Sequence, residues 1–309
     1  MIKIRNFTKK YEQFLAVDRL DLDIEAGEIF GFIGPNGAGK STTIRFLATL
    51  LDPTAGKAFI NGYSVTDDVE SVRRSIGYMP DTFGVYDGMR VWEFLDFFAL
   101  AYGVDRKTRT RVIGDVLDLL DLAFKRDDFV NGLSRGMQQR LCLAKTLLHD
   151  PPVLILDEPA SGLDPRARVE MKELLRELRN MGKTILISSH ILSELADFST
   201  RVGIIERGKL LACGSVSDVT KSVREHRVIH ISVYENEQVA EIVLRRHPRV
   251  RDVHAAGGGS IQFSFDGDDS ELIGLQDDIR AQGARLLFVE QIEATLEEVF
   301  MTVTKGDLA

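Results

Sequence analysis

Apolar and polar positions follow two successive rhythms along this chain, and the pattern resets near residues 217–223. Before that point, short apolar runs that read as buried strands alternate with stretches whose apolar residues recur at helical spacing. The strand-like runs are residues 28–33, 57–61, 75–79, 153–157, 184–189, 202–206 and 209–213. Helical runs lie between them, among them 43–51, 106–122 and 166–181. The last sets Val169, Leu174, Leu175 and Leu178 on one face and stops before Gly182. This alternation predicts an α/β architecture around a largely parallel sheet. Residues 91–102 and 106–122 follow each other without a strand, which predicts a helical subdomain.

The second rhythm reads strand 228–234, helix 237–247, strand 250–255, strand 260–265, helix 270–282 and strand 285–290, with a closing helix over 295–304. That order, βαββαβ, is the ferredoxin-like arrangement. Gly257-Gly258-Gly259 suits the hairpin between the two middle strands. Val228, Ile229, Ile231, Val233, Ile242, Val243 and Leu244 supply a small core. Two domains are therefore expected, 1–219 and a smaller α+β one over 223–309. At 309 residues the chain is comfortable for both.

Composition narrows the partners. With 44% apolar and 28% charged residues the chain reads as a soluble globular protein. A net charge of −8 argues against nucleic acid as a partner, since that demands a basic surface. Cys142 and Cys213 have no metal-ligand spacing and read as buried, reduced thiols of a cytosolic protein. His226, His230, His247 and His254 are scattered rather than grouped. No run is both long and apolar enough to span a bilayer. A membrane role would thus be played from the cytoplasmic side, through a separate subunit.

The chemistry is concentrated in three places. Gly34-Pro35-Asn36-Gly37-Ala38-Gly39-Lys40-Ser41-Thr42 completes G-x-x-x-x-G-K-[ST] between a predicted strand and a predicted helix. There the glycines let backbone N–H groups close on phosphate oxygens, Lys40 reaches the β- and γ-phosphates, and the Ser41 hydroxyl holds Mg²⁺. The pattern therefore predicts a nucleoside triphosphate site. The apolar run 153–157 ends in Asp157 and Glu158. Asp157 is the expected Mg²⁺ partner, and Glu158 can polarise a water on the γ-phosphate side. In Leu133-Ser134-Arg135-Gly136-Met137-Gln138-Gln139-Arg140, Ser134 reads as an N-cap ahead of the apolar stripe Met137, Leu141, Ala144 and Leu148. A helix N-terminus with a serine hydroxyl and a glycine amide is a second anion site, although by itself it reads as a routine capped helix.

In this order the motifs resemble the nucleotide-binding subunit of an ATP-binding cassette (ABC) transporter, over about the first 215 residues. Leu133 to Met137 matches the family signature, and Ser161-Gly162-Leu163-Asp164-Pro165 matches the D-loop. His190 matches the switch histidine and Tyr11 the aromatic that stacks on adenine. The resemblance implies a phosphate-loop ATPase with a helical subdomain that binds ATP and Mg²⁺. It also implies a head-to-tail homodimer, in which each phosphate loop faces the partner's signature helix. Ser134 and Gly136 would then touch the γ-phosphate, His190 would contact it too, and Asp164 would couple the two sites. Useful work in such a cycle requires a transmembrane permease, so export from the cytoplasmic face of the membrane is the leading expectation. The runner-up is a soluble ABC ATPase acting on ribosomes or DNA. Two departures stand out: Asp81 where the family usually has glutamine, and Arg135 and Met137 where glycine and glutamine are commoner. A carboxylate at 81 would oppose a triphosphate, which favours a position facing the membrane partner. The layout with a C-terminal domain, and the ending Thr295 to Phe300, are similar to exporter-type bacterial members.

Overall fold

The computed structural model describes residues 1–82, 84, 88–191, 195–221, 227–292 and 296–304. By proximity along the fold they divide into two compact units, Met1–Val216 and Ser217–Ala309.

The first unit opens with β1 (Ile2–Tyr11) and β2 (Phe14–Ile24), followed by β3 (Ile29–Ile33) and α1 (Lys40–Leu47). Next come β4 (Ala55–Ile60), β5 (Tyr63–Ser64), α2 (Val69–Ser75) and β6 (Ile76–Met79). The helices α3 (Val91–Ala101), α4 (Arg106–Leu119) and α5 (Arg135–Leu147) then interrupt the strands. The unit closes with β7 (Val153–Asp157), α6 (Pro165–Asn180), β8 (Thr184–Ser189), β9 (Arg201–Glu206) and β10 (Lys209–Ser215).

Two sheets result. One runs β10-β9-β3-β8-β7-β6, with every pair parallel except the edge pair β10–β9. Every residue of β3, β7 and β8 is buried, which is why these strands read as unbroken apolar runs. The other sheet, β2-β1-β4-β5, is antiparallel. The expected strand 57–61 belongs here as β4, not in the parallel sheet. Helix α1 packs between the sheets, with Phe46 stacked on Phe7 at 4.1 Å between ring centroids.

Helix boundaries and faces differ from the pattern in instructive ways. Helix α1 starts at Lys40 because Gly39 adopts a left-handed φ of 108° at its N-cap, and Thr49, at φ 60°, turns the chain away before residue 51. On α6 the buried face is Met171, Leu174, Leu175 and Leu178, while Val169 is exposed. Asp164 caps that helix, with Pro165 at its first position.

The second unit has the strands Arg227–Glu235, Val250–Gly257, Ser260–Phe265 and Arg285–Ile292 and the helices Glu237–Arg246 and Asp269–Ala281, in the order βαββαβ. Its four-stranded sheet is antiparallel, with Arg227–Glu235 paired between Ser260–Phe265 and Arg285–Ile292. Ile229, Ile231, Val233, Phe263, Phe265, Leu275 and Ile279 form its core. Ile242 does not join them; it is exposed, because Ala240 and Leu244 take the inward face of its helix. Of the two cysteines, Cys142 is buried and Cys213 is exposed on the edge strand β10, where its Sγ accepts from Arg201. His226 and Thr295 lie outside the described residues.

Candidate functional site

The parallel sheet gathers the chemistry at the carboxyl ends of neighbouring strands, where open α/β sheets bind ligands. β3 runs into the phosphate loop and α1, β7 ends at Asp157, and β8 ends one residue before His190. An open cleft of about 340 Å³ forms there. Pro35, Asn36, Gly37, Gly39, Lys40, Ser41 and Thr42 line it, together with Tyr11, Glu158 and His190.

Lys40 is 5% exposed and folded into its own loop. Its Nζ donates to the Gly34 carbonyl at 2.6 Å and to the Pro35 carbonyl at 3.2 Å, and lies 3.6 Å from Glu158 Oε1. Burial holds its ammonium below the ordinary lysine range, although Glu158 and Asp157 pull the other way. The loop carbonyls and Glu158 thus hold the ammonium inside the loop.

Asp157 is buried behind the cleft wall rather than on it. Its Oδ1 accepts from Ser188 Oγ at 2.7 Å and from Ser41 Oγ at 3.3 Å. The same Ser188 hydroxyl accepts from the Glu158 backbone N–H at 3.0 Å. Ser188 therefore fixes both acids from the neighbouring strand. No motif marks a serine inside an apolar strand, so sequence reasoning passed over it. Glu158 turns the chain with a left-handed φ of 52° and sets its carboxylate against His190, whose Nδ1 lies 2.6 Å from Oε2. Strain of this kind in a non-glycine residue persists where the surroundings over-determine it.

The loop glycines divide the work differently from the expectation. A Cβ on Gly34 would run into the Ile205 carbonyl, and one on Gly39 would sit 2.7 Å from the Ala16 carbonyl. These two are required by the packing behind the loop. Gly37, with nothing within 4 Å, is the one whose missing Cβ opens onto space. Gly34 and the buried Ala38 stand behind the wall; Ala38 is tied in through its carbonyl, which accepts from the Gly208 N–H at 2.9 Å.

On one wall of the cleft, Tyr11 is 41% exposed at the end of β1, with Lys9 Nζ 5.1 Å from its ring centroid. Phe14, which no motif flagged, is more exposed still and lines the same wall. Asp81 also lines the cleft, contrary to a position facing away from it. Partial burial raises its carboxyl above the usual range, the charges of Asp157 and Glu158 raise it further, and Arg135 and His190 oppose them.

Ser134, Gly136 and Asp164 are not brought to this cleft. They line a second hollow of about 380 Å³ at the N-termini of α5 and α6. Ser134 Oγ accepts from the Met137 N–H at 3.4 Å, and Asp164 Oδ1 accepts from the Ala167 N–H at 2.9 Å. One chain thus presents two separate hollows at helix N-termini, built from different strands and helices.

The family model described as ABC transporter matches residues 17–161. The bacitracin transport ATP-binding protein BcrA of Bacillus licheniformis is 34% identical over 308 residues, 99% of this chain and 98% of that relative. The chain belongs to the ABC ATPase family. It is also 36% identical over 219 residues to the probable multidrug ABC transporter ATP-binding protein YbhF of Escherichia coli (strain K12), covering 71% of this chain. The chain spans 38% of that relative's length. A solved dimeric ATP-binding cassette, in a post-hydrolysis state bound to ADP and Pi, superposes with a TM-score of 0.64 at 26% identity, covering 70% of this chain and 99% of that one. The cleft around Lys40 carries the phosphate-loop motif, and the hollow around Ser134 carries the signature motif.

Proposed function

We propose that this ABC ATPase hydrolyses ATP to drive export through a separate transmembrane permease, working as a homodimer at the cytoplasmic face of the membrane. The observation that carries this reading is the division of the site: phosphate-loop cleft and signature hollow are distinct surfaces of one chain. Two copies arranged head to tail would close each cleft with the other copy's hollow. The neighbouring cassette solved as a dimer with ADP and Pi supports that arrangement. Among the described residues no helix is long and apolar enough to cross a membrane, which agrees with a permease on another chain. The relatives named for multidrug and bacitracin transport support export as the task.

Mg²⁺ fits the residues present. The Ser41 hydroxyl and the Asp157 carboxylate are hard oxygen donors 3.3 Å apart. Among the described residues no cluster of three His, Cys, Asp or Glu side chains could enclose a metal. That suits an ion whose shell is completed by phosphate and water. Bound there, Mg²⁺ would neutralise charge on the β- and γ-oxygens. Lys40 would leave the Gly34 and Pro35 carbonyls for the same oxygens. Glu158 would accept the proton of the attacking water, and His190, already on its Oε2, would orient that carboxylate against the γ-phosphate. Tyr11 and Phe14 would hold the adenine. The unit Ser217–Ala309, with no phosphate loop of its own, takes an accessory role in dimer contact, regulation or partner docking.

The test is Glu158→Gln. Turnover should fall by at least roughly a hundredfold, the lower range for loss of a general base, while calorimetry still detects Mg-ATP binding. Turnover at the wild-type rate would remove Glu158 from the role of activating water.

A further inference from the structure

Four side chains tether the two acids at the end of β7, and a nucleotide would not treat them alike. Glu158 Oε1 lies 3.6 Å from Lys40 Nζ, and Oε2 lies 2.6 Å from His190 Nδ1. The Glu158 backbone N–H donates to Ser188 Oγ at 3.0 Å. Asp157 Oδ1 accepts from Ser188 at 2.7 Å and from Ser41 at 3.3 Å. On the proposed reading Lys40 turns to the phosphates and Ser41 to the metal, so each acid loses one partner when nucleotide arrives. The His190 side chain is 44% exposed, and its hold on Glu158 is an ion pair only when the ring is protonated. Ser188 is fully buried, carries no charge and serves both acids at once.

A serine hydroxyl has one proton to give and lone pairs to accept with, and this one uses both. Ser188 stands opposite Asp157 in the parallel register of β7 and β8, so the sheet itself sets the bridge. Glu158 is left-handed at φ 52°, an unfavourable conformation for a residue with a Cβ. Its N–H on Ser188 secures the start of that turn, and its carbonyl, accepting from the Ser161 N–H at 3.0 Å, secures the end. Without the hydroxyl, the turn that aims the Glu158 carboxylate loses one anchor, and Asp157 keeps only the donor that the metal would take. We infer that Ser188 is a positioning residue for hydrolysis: its hydroxyl stays on both acids while Lys40 and Ser41 change partners, and so holds Asp157 and Glu158 in fixed relation to each other. The inference rests on the reading of the cleft as the Mg-ATP site.

Its test is Ser188→Ala in the full chain, with turnover, calorimetry and denaturant unfolding measured together. Turnover should fall roughly tenfold to a hundredfold, the worth of a hydrogen bond to a charged group. ATP affinity without Mg²⁺ should stay within about threefold of wild type, while the gain in affinity on adding Mg²⁺ shrinks. Ser188→Thr keeps the hydroxyl and should restore most of both. If the alanine variant folds poorly, Ser188→Cys fills nearly the same space with a weaker donor and should show the same losses in smaller degree. Thr184→Val is the control: Thr184 is buried at the other end of β8, where its hydroxyl accepts from the Gly27 N–H. It should lower stability and leave turnover per folded molecule unchanged. A Ser188→Ala chain that is less stable but keeps wild-type turnover and the full gain from Mg²⁺ would overturn the inference, reducing Ser188 to packing. A wild-type chain that does not bind Mg-ATP would sink the nucleotide reading, and this inference with it.

Discussion

Two helix N-termini in the first unit are capped in opposite ways. Helix α1 starts without any side-chain cap: Gly39 precedes it in a left-handed conformation, and Lys40 is buried against the loop's own carbonyls. Helix α5 starts at Ser134, whose hydroxyl already accepts from the Met137 N–H, though at the long distance of 3.4 Å. The first end leaves its backbone donors for a ligand and stores a cation beside them. The second is met by its own cap, through a long bond. On the proposed reading, the first surface would grip phosphate alone, while the second would add to a grip already made. That asymmetry is what the proposed ATP-driven closure of two chains would require.

The comparison breaks first at Lys40. Lys40→Ala should cost roughly tenfold to a hundredfold in Mg-ATP affinity, the worth of a charge-assisted contact, and calorimetry should find it. Unchanged affinity would mean that the α1 end does not grip phosphate. Within the loop, Gly39→Ala should destabilise the fold by about 3 kcal/mol, combining the left-handed conformation with a collision at the Ala16 carbonyl. Gly37→Ala meets open space and should cost about 1 kcal/mol, the conformational part alone. Denaturant unfolding distinguishes them; equal losses would contradict the division between packing and open positions. The caps give the smallest effect. Asp164→Ala, removing a 2.9 Å bond, should lower stability by about 1 kcal/mol, and Ser134→Ala by clearly less. A costlier Ser134→Ala would show that α5 depends on its cap and cannot lend it.

The same asymmetry governs what the sequence discloses. The phosphate loop is legible because its backbone path demands glycines, a lysine and a hydroxyl at fixed spacing. Asp157 and Glu158 are legible because two acids end an apolar run. Ser134 on its own looks like any N-cap, and it gained meaning only from the order of the other motifs. Ser188 and Phe14 carry no signal, since a hydroxyl in a buried strand and an exposed aromatic in a hairpin acquire their roles from neighbours distant in sequence. The antiparallel sheet was also hidden. Its buried residues Ile2, Ile4 and Phe7 are spaced by register shifts between Ile4 and Phe7 and beyond, which destroy the two-residue period. Helix ends drifted where a left-handed residue, Gly39 or Thr49, set the boundary instead of hydrophobic periodicity.

The central claim is that a complete site takes its cleft from one chain and its hollow from another. Mixing two defective proteins tests it most directly. Lys40→Ala lacks the cleft, and Ser134→Asp keeps a helix cap while placing a carboxylate where phosphate would bind. Each alone should give almost no hydrolysis in a single turnover. In the mixed dimer, the Ser134→Asp chain supplies an intact Lys40 and the Lys40→Ala chain an intact Ser134, so one site is whole. The account predicts that the mixture hydrolyses ATP well above the sum of its parts. A mixture no more active than the separate proteins would contradict it.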